Sequence, residues 1–243
     1  NSVQSYLKNK TILQKNNPNY KLKIKISLMP SEIEIRDNAA GINEERYEAA
    51  FETGKPPPDT KGLSEFGVGM KIAACWFADK WSVQTKAIGE KFWKLVEFDI
   101  KKIQEKQINE LEVSTSSAPE SQGYTIVRLN RLNHKPKGHA ISKIKEQLAS
   151  MYRHMIGRDE IEIFIDNKKL TYEMPEIRKS GYFQDWKDGI IKKPKKYKWY
   201  KYFTFDFRHE PVSGFVALRK KGSTKQNGFS LFRRNRLIIN SFK

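Results

Sequence analysis

A glycine-rich run lies directly before an apolar segment of helical character near residue 70. The run consists of Gly62, Leu63, Ser64, Glu65, Phe66, Gly67, Val68, Gly69, Met70 and Lys71. Glycines before a helix expose backbone N–H groups, and the helix dipole adds partial positive charge at the same place. This predicts a phosphate site at the start of a helix over Met70–Ala78, where Lys71 adds charge. A tight loop whose glycines serve only the backbone is the alternative.

A second group of small residues follows a strand that ends in a carboxylate. Ile33 and Ile35 alternate with polar neighbours, and after them come Asp37, Asn38, Ala39, Ala40, Gly41 and Ile42. Small residues allow a ligand to approach the backbone closely. A carboxylate at the mouth of a sheet can accept a hydrogen bond from an exocyclic amine, such as that of adenine. The alternative is an Asx turn that leaves the strand.

Alternating and helical hydrophobic patterns are interleaved along residues 1–173. They predict a two-layer α/β sandwich, with a mixed sheet and helices on one face. Strands are expected at 22–28, 33–36, 81–85, 92–98, 125–129 and 161–165, and helices at 1–13, 70–78 and 140–156. After Pro175 three strand-like runs follow, at 202–207, 214–219 and 229–239. We therefore predict two domains, 1–173 and 174–243, of which the second is small and β-rich.

The charge balance favours a polyanionic partner. Lys and Arg number 46 against 28 Asp and Glu, which gives a formal net charge of +18. Contact with phosphates releases counterions, so a nucleic acid is the partner we expect. The segment Lys192–Lys201 also interleaves Tyr197, Trp199 and Tyr200 with lysines, as single-strand binders do. A solvated basic surface, and a loop whose aromatic residues belong to the core, remain the alternatives.

Composition excludes several other classes. No apolar stretch approaches the roughly 18 residues that a membrane-spanning helix needs, so no membrane role is expected. The single cysteine, Cys75, indicates a reducing compartment and a cytoplasmic location, and we expect it to be a packed core residue. The four histidines lack zinc spacing, so we predict no zinc site. Since the chain begins with Asn1, we expect it to be part of a longer protein.

Taken together and in this order, the two small-residue runs resemble the nucleotide-binding motifs of the GHKL ATPases. The match looks closest to MORC-like proteins and their bacterial relatives, and Gly62–Trp76 is its strongest element. A second element, Gly228–Ile238, looks like the transducer strand of MORC-type proteins, so the resemblance covers nearly the whole chain. It implies an ATP-binding domain over residues 1–173 and a transducer-like domain over residues 174–243.

The resemblance implies roles for residues around the adenine. Asp37 would bind the adenine amino group, and Gly41 would lie against the base, with Ile42 beside it. Ala39 stands where the family's Asp-x-Gly-x-Gly motif has its first glycine. Thr125, preceded by Gly123 and Tyr124, would correspond to the family's late threonine beside the base.

It also implies roles around the phosphates. Asn1 would be the magnesium ligand, and the family's general-base Glu would lie four residues before it, outside this chain. Residues 52–66 would form a lid over ATP. Gly67, Gly69 and the N–H groups that follow would hold the phosphates. A lysine of the second domain would reach the γ-phosphate; we expect Lys225 first and Lys221 second, against a solvated basic loop as the alternative.

The resemblance therefore implies a Mg²⁺-dependent ATPase in which ATP closes the lid and joins two chains into a homodimer. We expect slow hydrolysis and an action on DNA. Two alternatives stay open. One is a chaperone-like clamp that acts on proteins, and the other is a nucleotide-gated binding module without turnover.

Overall fold

The computed structural model describes residues 1–15, 17–52, 68–181, 196–223 and 228–240. These residues form two compact units. The first contains residues 1–172 together with 233–236, and the second contains the other described residues from 173 onward. The assignment of the two units to an ATP-binding and a transducer domain stays a prediction.

An eight-stranded mixed sheet dominates the first unit. Its strands are β1 (Leu22–Leu28), β2 (Glu32–Asp37), β3 (Ala78–Lys86), β4 (Phe92–Asp99), β5 (Val113–Ser117), β6 (Tyr124–Leu132), β7 (Ile161–Ile165) and β8 (Lys168–Lys169). They are ordered β5-β4-β3-β6-β2-β1-β7-β8. Only the β1–β7 pair is parallel within this sheet of the described chain.

The helices of this unit pack on one face of the sheet, which we call the inner face. They are α1 (Ser2–Lys8), α2 (Lys10–Gln14), α3 (Glu44–Phe51), α4 (Gly69–Phe77), α5 (Ile100–Lys106), α6 (His139–Met151) and α7 (Arg153–Gly157). One core cluster joins α1, α2, α6 and α7 to β1 and β7. A second joins Tyr47 of α3 and Ala74 of α4 to Trp81, Val83 and Val96. The predicted two-layer α/β class is confirmed.

Side-chain alternation explains why these strands form. In β1, Leu22 is fully buried while Lys23 and Lys25 are exposed, so the apolar positions face the helices. Because paired residues point to the same side, Ile26 of β1 and Ile35 of β2 share the inner face.

The structure differs from the sequence prediction in some boundaries. The helix expected at 140–156 is divided at Tyr152, and the one expected at 1–13 is divided at Asn9. The polar segment at 101–122, where no strand is predicted, contains most of α5 and also β5, whose five residues are all exposed. An exposed edge strand of Ser and Thr carries no hydrophobic alternation, so the pattern could not indicate it.

Beyond residue 172 the described residues form three two-stranded sheets. They pair β9 (Lys179–Ser180) with β10 (Tyr197–Lys198), β11 (Tyr200–Phe207) with β12 (Glu210–Ala217), and β13 (Ser230–Arg233) with β14 (Arg236–Asn240). Arg208 and His209 both have positive φ, which is the backbone of a tight hairpin turn between β11 and β12. Among the described helices, none combines the length and apolarity that crossing a bilayer requires.

Candidate functional site

A row of polar side chains crosses the inner face at one end of the sheet. Strand register aligns Asp37 of β2 with Thr125 of β6, Thr125 with Thr85 of β3, and Thr85 with Lys94 of β4. The neighbouring row on the same face is entirely apolar: Ile35, Val127, Val83 and Val96. Polar residues at inward positions are therefore confined to the strand ends, where the sheet borders the loop after Asp37.

Asp37 is the one carboxylate of this row of four residues, and only 6% of its surface is exposed. Its Oδ1 accepts a hydrogen bond from the Ala39 amide at 2.9 Å. The Ser2 side chain and the Thr125 backbone also bond to this carboxylate. Burial raises the pKa of Asp37, and these hydrogen bonds oppose the shift. The predicted adenine-binding residue thus lies beside Thr125, which was predicted to share its role.

Gly41 holds the loop after Asp37 against the end of β3. Its φ is +75°, and a Cβ at this position would lie 2.0 Å from the Lys86 carbonyl oxygen. Gly123 is also tightly packed, since a Cβ there would lie 2.6 Å from the Ala39 carbonyl oxygen. The two glycines are required for the close approach of backbone to backbone.

Ala39 replaces a glycine of the family motif, and its surroundings accommodate the methyl group. It is 1% exposed and belongs to the core cluster with α1 and β1. Its φ lies outside the left-handed region, so a side chain costs no backbone strain. The departure from the motif is therefore compatible with this loop.

Thr85 is a member of the site that the sequence interpretation missed. It is 1% exposed. Its Oγ1 accepts the Ile42 amide at 2.9 Å, donates to the Tyr124 carbonyl at 3.1 Å and lies 3.3 Å from the Thr125 Oγ1. One signal was available, because alternation in 81–85 places a polar threonine at an inward position.

Two buried lysines stabilise the surroundings of this row. Lys86 is fully buried, and its Nζ donates to the carbonyls of Ala87 at 2.7 Å, Glu90 at 2.5 Å and Gln122 at 3.4 Å. Burial lowers the pKa of Lys86, and the charges of Glu90 and Glu120 oppose this. Its ammonium thereby joins the β3–β4 turn to the segment before β6.

Lys94, at the other end of the row, lies among acidic groups at the start of α3. Its ammonium contacts Glu44 and lies 3.6 Å from the Glu90 carboxylate. It also lies 5.1 Å from the ring centroid of Tyr47. The Glu90 carboxylate accepts the Glu44 amide at 2.7 Å, so the same cluster fixes the first turn of α3.

The predicted phosphate turn is described only from Val68 onward. Val68 is the N-cap of α4, no side chain among the described residues caps that turn, and Gly69 and Met70 open the helix. Gly62, Leu63, Phe66 and Gly67, with most of the predicted lid, lie outside the described residues.

Lys71 has a contact that the sequence did not suggest. It is 9% exposed, and its Nζ donates to the carbonyls of Ala50 at 3.2 Å and Glu52 at 2.5 Å. Burial lowers the pKa of Lys71, and the charge of Glu52 opposes this. In this structure the ammonium therefore binds the carbonyl end of α3, where a cation is favoured by the helix dipole. Its phosphate role stays a prediction.

The remaining predicted residues are placed as follows. Asn1 is exposed and is the N-cap of α1. Lys221 is exposed in the second unit, and its neighbour Lys220 pairs with Glu176 at 2.6 Å. Lys225 lies outside the described residues. Cys75, expected in the core, is exposed on α4, so that expectation is wrong. The described residues contain no cluster of three His, Cys, Asp or Glu suited to a metal.

Several solved structures resemble this one. The ATPase region of Saccharomyces cerevisiae topoisomerase II matches with a TM-score of 0.46 and 14% identity, over 70% of this chain and 48% of that one, both in the first structure and in one bound to ICRF-187 (dexrazoxane). The ATPase and transducer domains of topoisomerase II from Balamuthia mandrillaris match with a TM-score of 0.45 and 13% identity, over 68% and 46%. The chain spans about half the length of these structures. No curated protein sequence matches it.

A family model identifies the chain. The model of histidine kinase-, DNA gyrase B- and HSP90-like ATPases matches residues 1–134. This region includes Asp37, Gly41, Thr85 and Thr125, and it makes up more than half of the 243 residues. The chain therefore belongs to the family of histidine kinase-, DNA gyrase B- and HSP90-like ATPases.

Proposed function

We propose that this chain binds ATP, with the adenine held at the Asp37 end of the polar row. The observation that carries the proposal is the hydrogen-bonding capacity of the Asp37 carboxylate. Two carboxylate oxygens offer about four acceptor sites. Among the described residues, Ala39, Ser2 and Thr125 use three of them. The remaining acceptor suits an exocyclic amine, and Gly41 keeps the adjacent backbone free of a side chain.

The phosphates would extend toward α4, where Gly69 and Met70 provide N–H groups without a described side-chain cap. Gly62, Leu63, Phe66, Gly67 and Val68 would complete this turn. Asn1 would hold Mg²⁺ through its side-chain oxygen. Magnesium keeps most of its ligands as water and phosphate oxygens, so one protein donor suits it and no acidic cluster is needed. When bound, Mg²⁺ neutralises charge on the phosphates.

In the full cycle we propose, ATP joins two chains, and Lys225 or Lys221 of the second unit stabilises charge at the γ-phosphate. Slow hydrolysis then separates the chains. The motifs at 62–76 and 228–238 support a MORC-like member of the family with a transducer-like domain after residue 173. The net charge of +18 supports DNA as the partner rather than a protein client.

Titration calorimetry with Mg-ATP tests the nucleotide site. We expect Asp37→Asn to weaken binding by about 1–3 kcal/mol, the cost of losing a charge-assisted hydrogen bond. Asp206→Asn, the same change at an exposed position of β11, is the matched control and should bind as the wild type does. Equal binding by Asp37→Asn and the wild type, or no binding by the wild type, would overturn the proposal.

GTP gives a second readout, because its base has an acceptor oxygen where adenine has the amine. An acceptor facing the Asp37 carboxylate is repelled, so the wild type should prefer ATP. In Asp37→Asn the preference should shrink, since an amide can present a donor or an acceptor. An unchanged ratio of the two affinities would place the base elsewhere.

A further inference from the structure

A basic cleft opens at the end of the sheet opposite to the polar row. It has a volume of about 880 Å³, and its twelve lining residues include Pro30, Arg131, Asn133, His134, Lys135 and Lys137. Thr125 and Leu132 lie seven residues apart on β6, so this cleft is about 24 Å from the polar row at ~3.4 Å per residue. It is therefore separate from the nucleotide site.

Two stacked rings adjoin the cleft. The rings of Trp76 and His134 lie 4.6 Å apart between centroids with an 8° angle between their planes. The His134 Nδ1 lies 2.8 Å from the Trp76 carbonyl oxygen, so this nitrogen carries a proton and donates to it. This bond fixes the stack on α4, although 62% of the Trp76 surface remains exposed. A large aromatic side chain held rigidly in solvent is a ready stacking platform.

The side chains that line the cleft beside these rings carry positive charge only. Arg131, Lys135 and Lys137 line the cleft, and none of its twelve lining residues is acidic. Two carboxylates border the cleft: that of Asp99 lies 2.5 Å from Arg131 and offsets its charge, and that of Asp79 accepts a hydrogen bond from Asn133 at 2.8 Å. Lys135 donates to the Pro30 carbonyl at 2.8 Å, which holds its charge in place without neutralising it. Lys137 is exposed. An anion that also presents a flat ring matches this combination.

We propose that this surface, which consists of Trp76, His134, Arg131, Lys135 and Lys137, binds single-stranded nucleic acid. Unpaired bases can stack on the Trp76–His134 pair, while the backbone phosphates contact the cations. A duplex is a poorer fit because its bases are already stacked on one another. The inference deepens the nucleic-acid step of the proposed function and rests on it, but it does not rest on the adenine contacts of Asp37.

Fluorescence anisotropy with a labelled 20-nucleotide oligothymidine, measured over a range of salt concentrations, tests the surface. We expect Trp76→Ala to weaken binding on the order of tenfold, the loss of one stacked base. Lys137→Gln should lower the slope of log affinity against log salt by about 0.7, the contribution of one phosphate contact on a single strand. Duplex DNA should bind more weakly than the single strand.

Matched controls separate this surface from the general basic charge. Phe92→Ala removes another exposed aromatic side chain, and Lys106→Gln removes an exposed cation of α5. Both should bind as the wild type does. Because Trp76 and Lys137 are exposed, their variants should keep the wild-type melting temperature, which shows that a loss of binding is not a loss of folding.

Cys75 provides a direct probe, since it is the only cysteine in the sequence, is exposed and precedes Trp76. Saturating oligothymidine should slow its alkylation by a maleimide several-fold in the wild type. The binding measurements also distinguish a failure of the proposed nucleic-acid binding from a failure of its assignment to this surface. If the wild type binds neither single strands nor duplex, the nucleic-acid step itself is wrong.

If the wild type binds DNA but Trp76→Ala and Lys137→Gln bind equally well, only the assignment to this surface is wrong. If Trp76→Ala leaves DNA affinity unchanged and instead abolishes a dimer in sedimentation, the surface is a contact between two copies of the chain. Either result overturns the inference and leaves the adenine site untouched.

Discussion

The Thr85 hydroxyl oxygen lies 3.3 Å from that of Thr125, and the same oxygen accepts the amide hydrogen of Ile42. One buried side chain thus joins three segments: the end of β3, the start of β6 and the loop that carries Gly41. Asp37 belongs to the same row through its pairing with Thr125. Thr85 is therefore a positioning residue for the proposed adenine site, because it holds the loop and the second threonine at fixed distances from the carboxylate.

Thr85→Val tests this role, because valine keeps the shape and removes the hydroxyl. The Ile42 amide and the Tyr124 carbonyl lose a buried partner, so we expect the free energy of unfolding to fall by about 1–3 kcal/mol. Mg-ATP affinity should fall with it. Thr115→Val, on the exposed edge strand β5, is the matched control and should change neither quantity. Urea unfolding and calorimetry measure the two effects, and unchanged ATP affinity would contradict the positioning role.

Gly41 and Gly89 give a controlled comparison of crowding with backbone strain. Both have positive φ, +75° and +85°, but a Cβ at Gly41 would lie 2.0 Å from the Lys86 carbonyl oxygen, whereas a Cβ at Gly89 would meet nothing within 4 Å. Gly89→Ala should therefore cost only the left-handed backbone penalty of about 1–2 kcal/mol. Gly41→Ala should destabilise the protein by more than this.

The same pair separates fold from function. Gly41→Ala must move the loop away from β3, so we expect it to lose Mg-ATP binding, while Gly89→Ala should retain it. Thermal unfolding ranks the two variants by stability, and calorimetry ranks them by affinity. Equal destabilisation by both substitutions would show that the loop that carries Gly41 moves to accommodate the added methyl group at little cost.

The sequence was sufficient for the fold class, and it also pointed to part of the candidate site, for a different physical reason. Hydrophobic alternation in β1 and β2 depends only on which face of the strand is buried, so it can be recognised from the amino-acid sequence. Asp37, Gly41 and Thr125 were predicted from the order of the motifs, and the structure places them at the same end of the sheet. Thr85 was not, because its importance comes from a register between β3 and β6 that are about 40 residues apart. Lys71 was assigned from its helix position, but which acceptor it contacts depends on how α3 packs.

The buried hydroxyl of Tyr47 leads us to expect a loss of stability at alkaline pH. Its hydroxyl is buried without a hydrogen-bond partner among the described residues. Burial, with the charge of Glu44 in addition, raises its pKa to about 12, against 10 for the free side chain. Between these values the unfolded chain releases this proton while the folded one keeps it. The contribution of the protonated Tyr47 hydroxyl to the free energy of unfolding is therefore fully present below pH 10 and decreases as the pH rises toward about 12.

Tyr47→Phe isolates that contribution. The variant removes an unpaired polar group, so it should be at least as stable as the wild type at pH 8. Urea unfolding at pH 8 and pH 10.5 measures the difference between the two proteins, which cancels the titration of other groups. We expect the free energy of unfolding of the variant, relative to that of the wild type, to be larger at pH 10.5 than at pH 8. A difference that does not change with pH would place the Tyr47 hydroxyl in contact with water.

Lys71 allows a structural role and a phosphate role to be measured separately. In this structure its ammonium donates to the Ala50 and Glu52 carbonyls, so Lys71→Met should leave these acceptors without a donor and lower the free energy of unfolding by about 1–3 kcal/mol in the absence of nucleotide. Lys106→Met, at an exposed position in the last turn of α5, is the matched control and should have little effect on stability.

Adding Mg-ATP then decides whether Lys71 has both roles. If the Lys71 ammonium contacts only the carbonyl groups at the end of α3, nucleotide should raise the melting temperature of Lys71→Met by as much as that of the wild type. If the ammonium also contacts phosphate, nucleotide should raise the melting temperature of Lys71→Met by less than that of the wild type, because part of the binding free energy is lost. Unchanged stability without nucleotide would contradict the contact with α3, since a buried ammonium that donates to two carbonyls cannot be removed without leaving them unpaired.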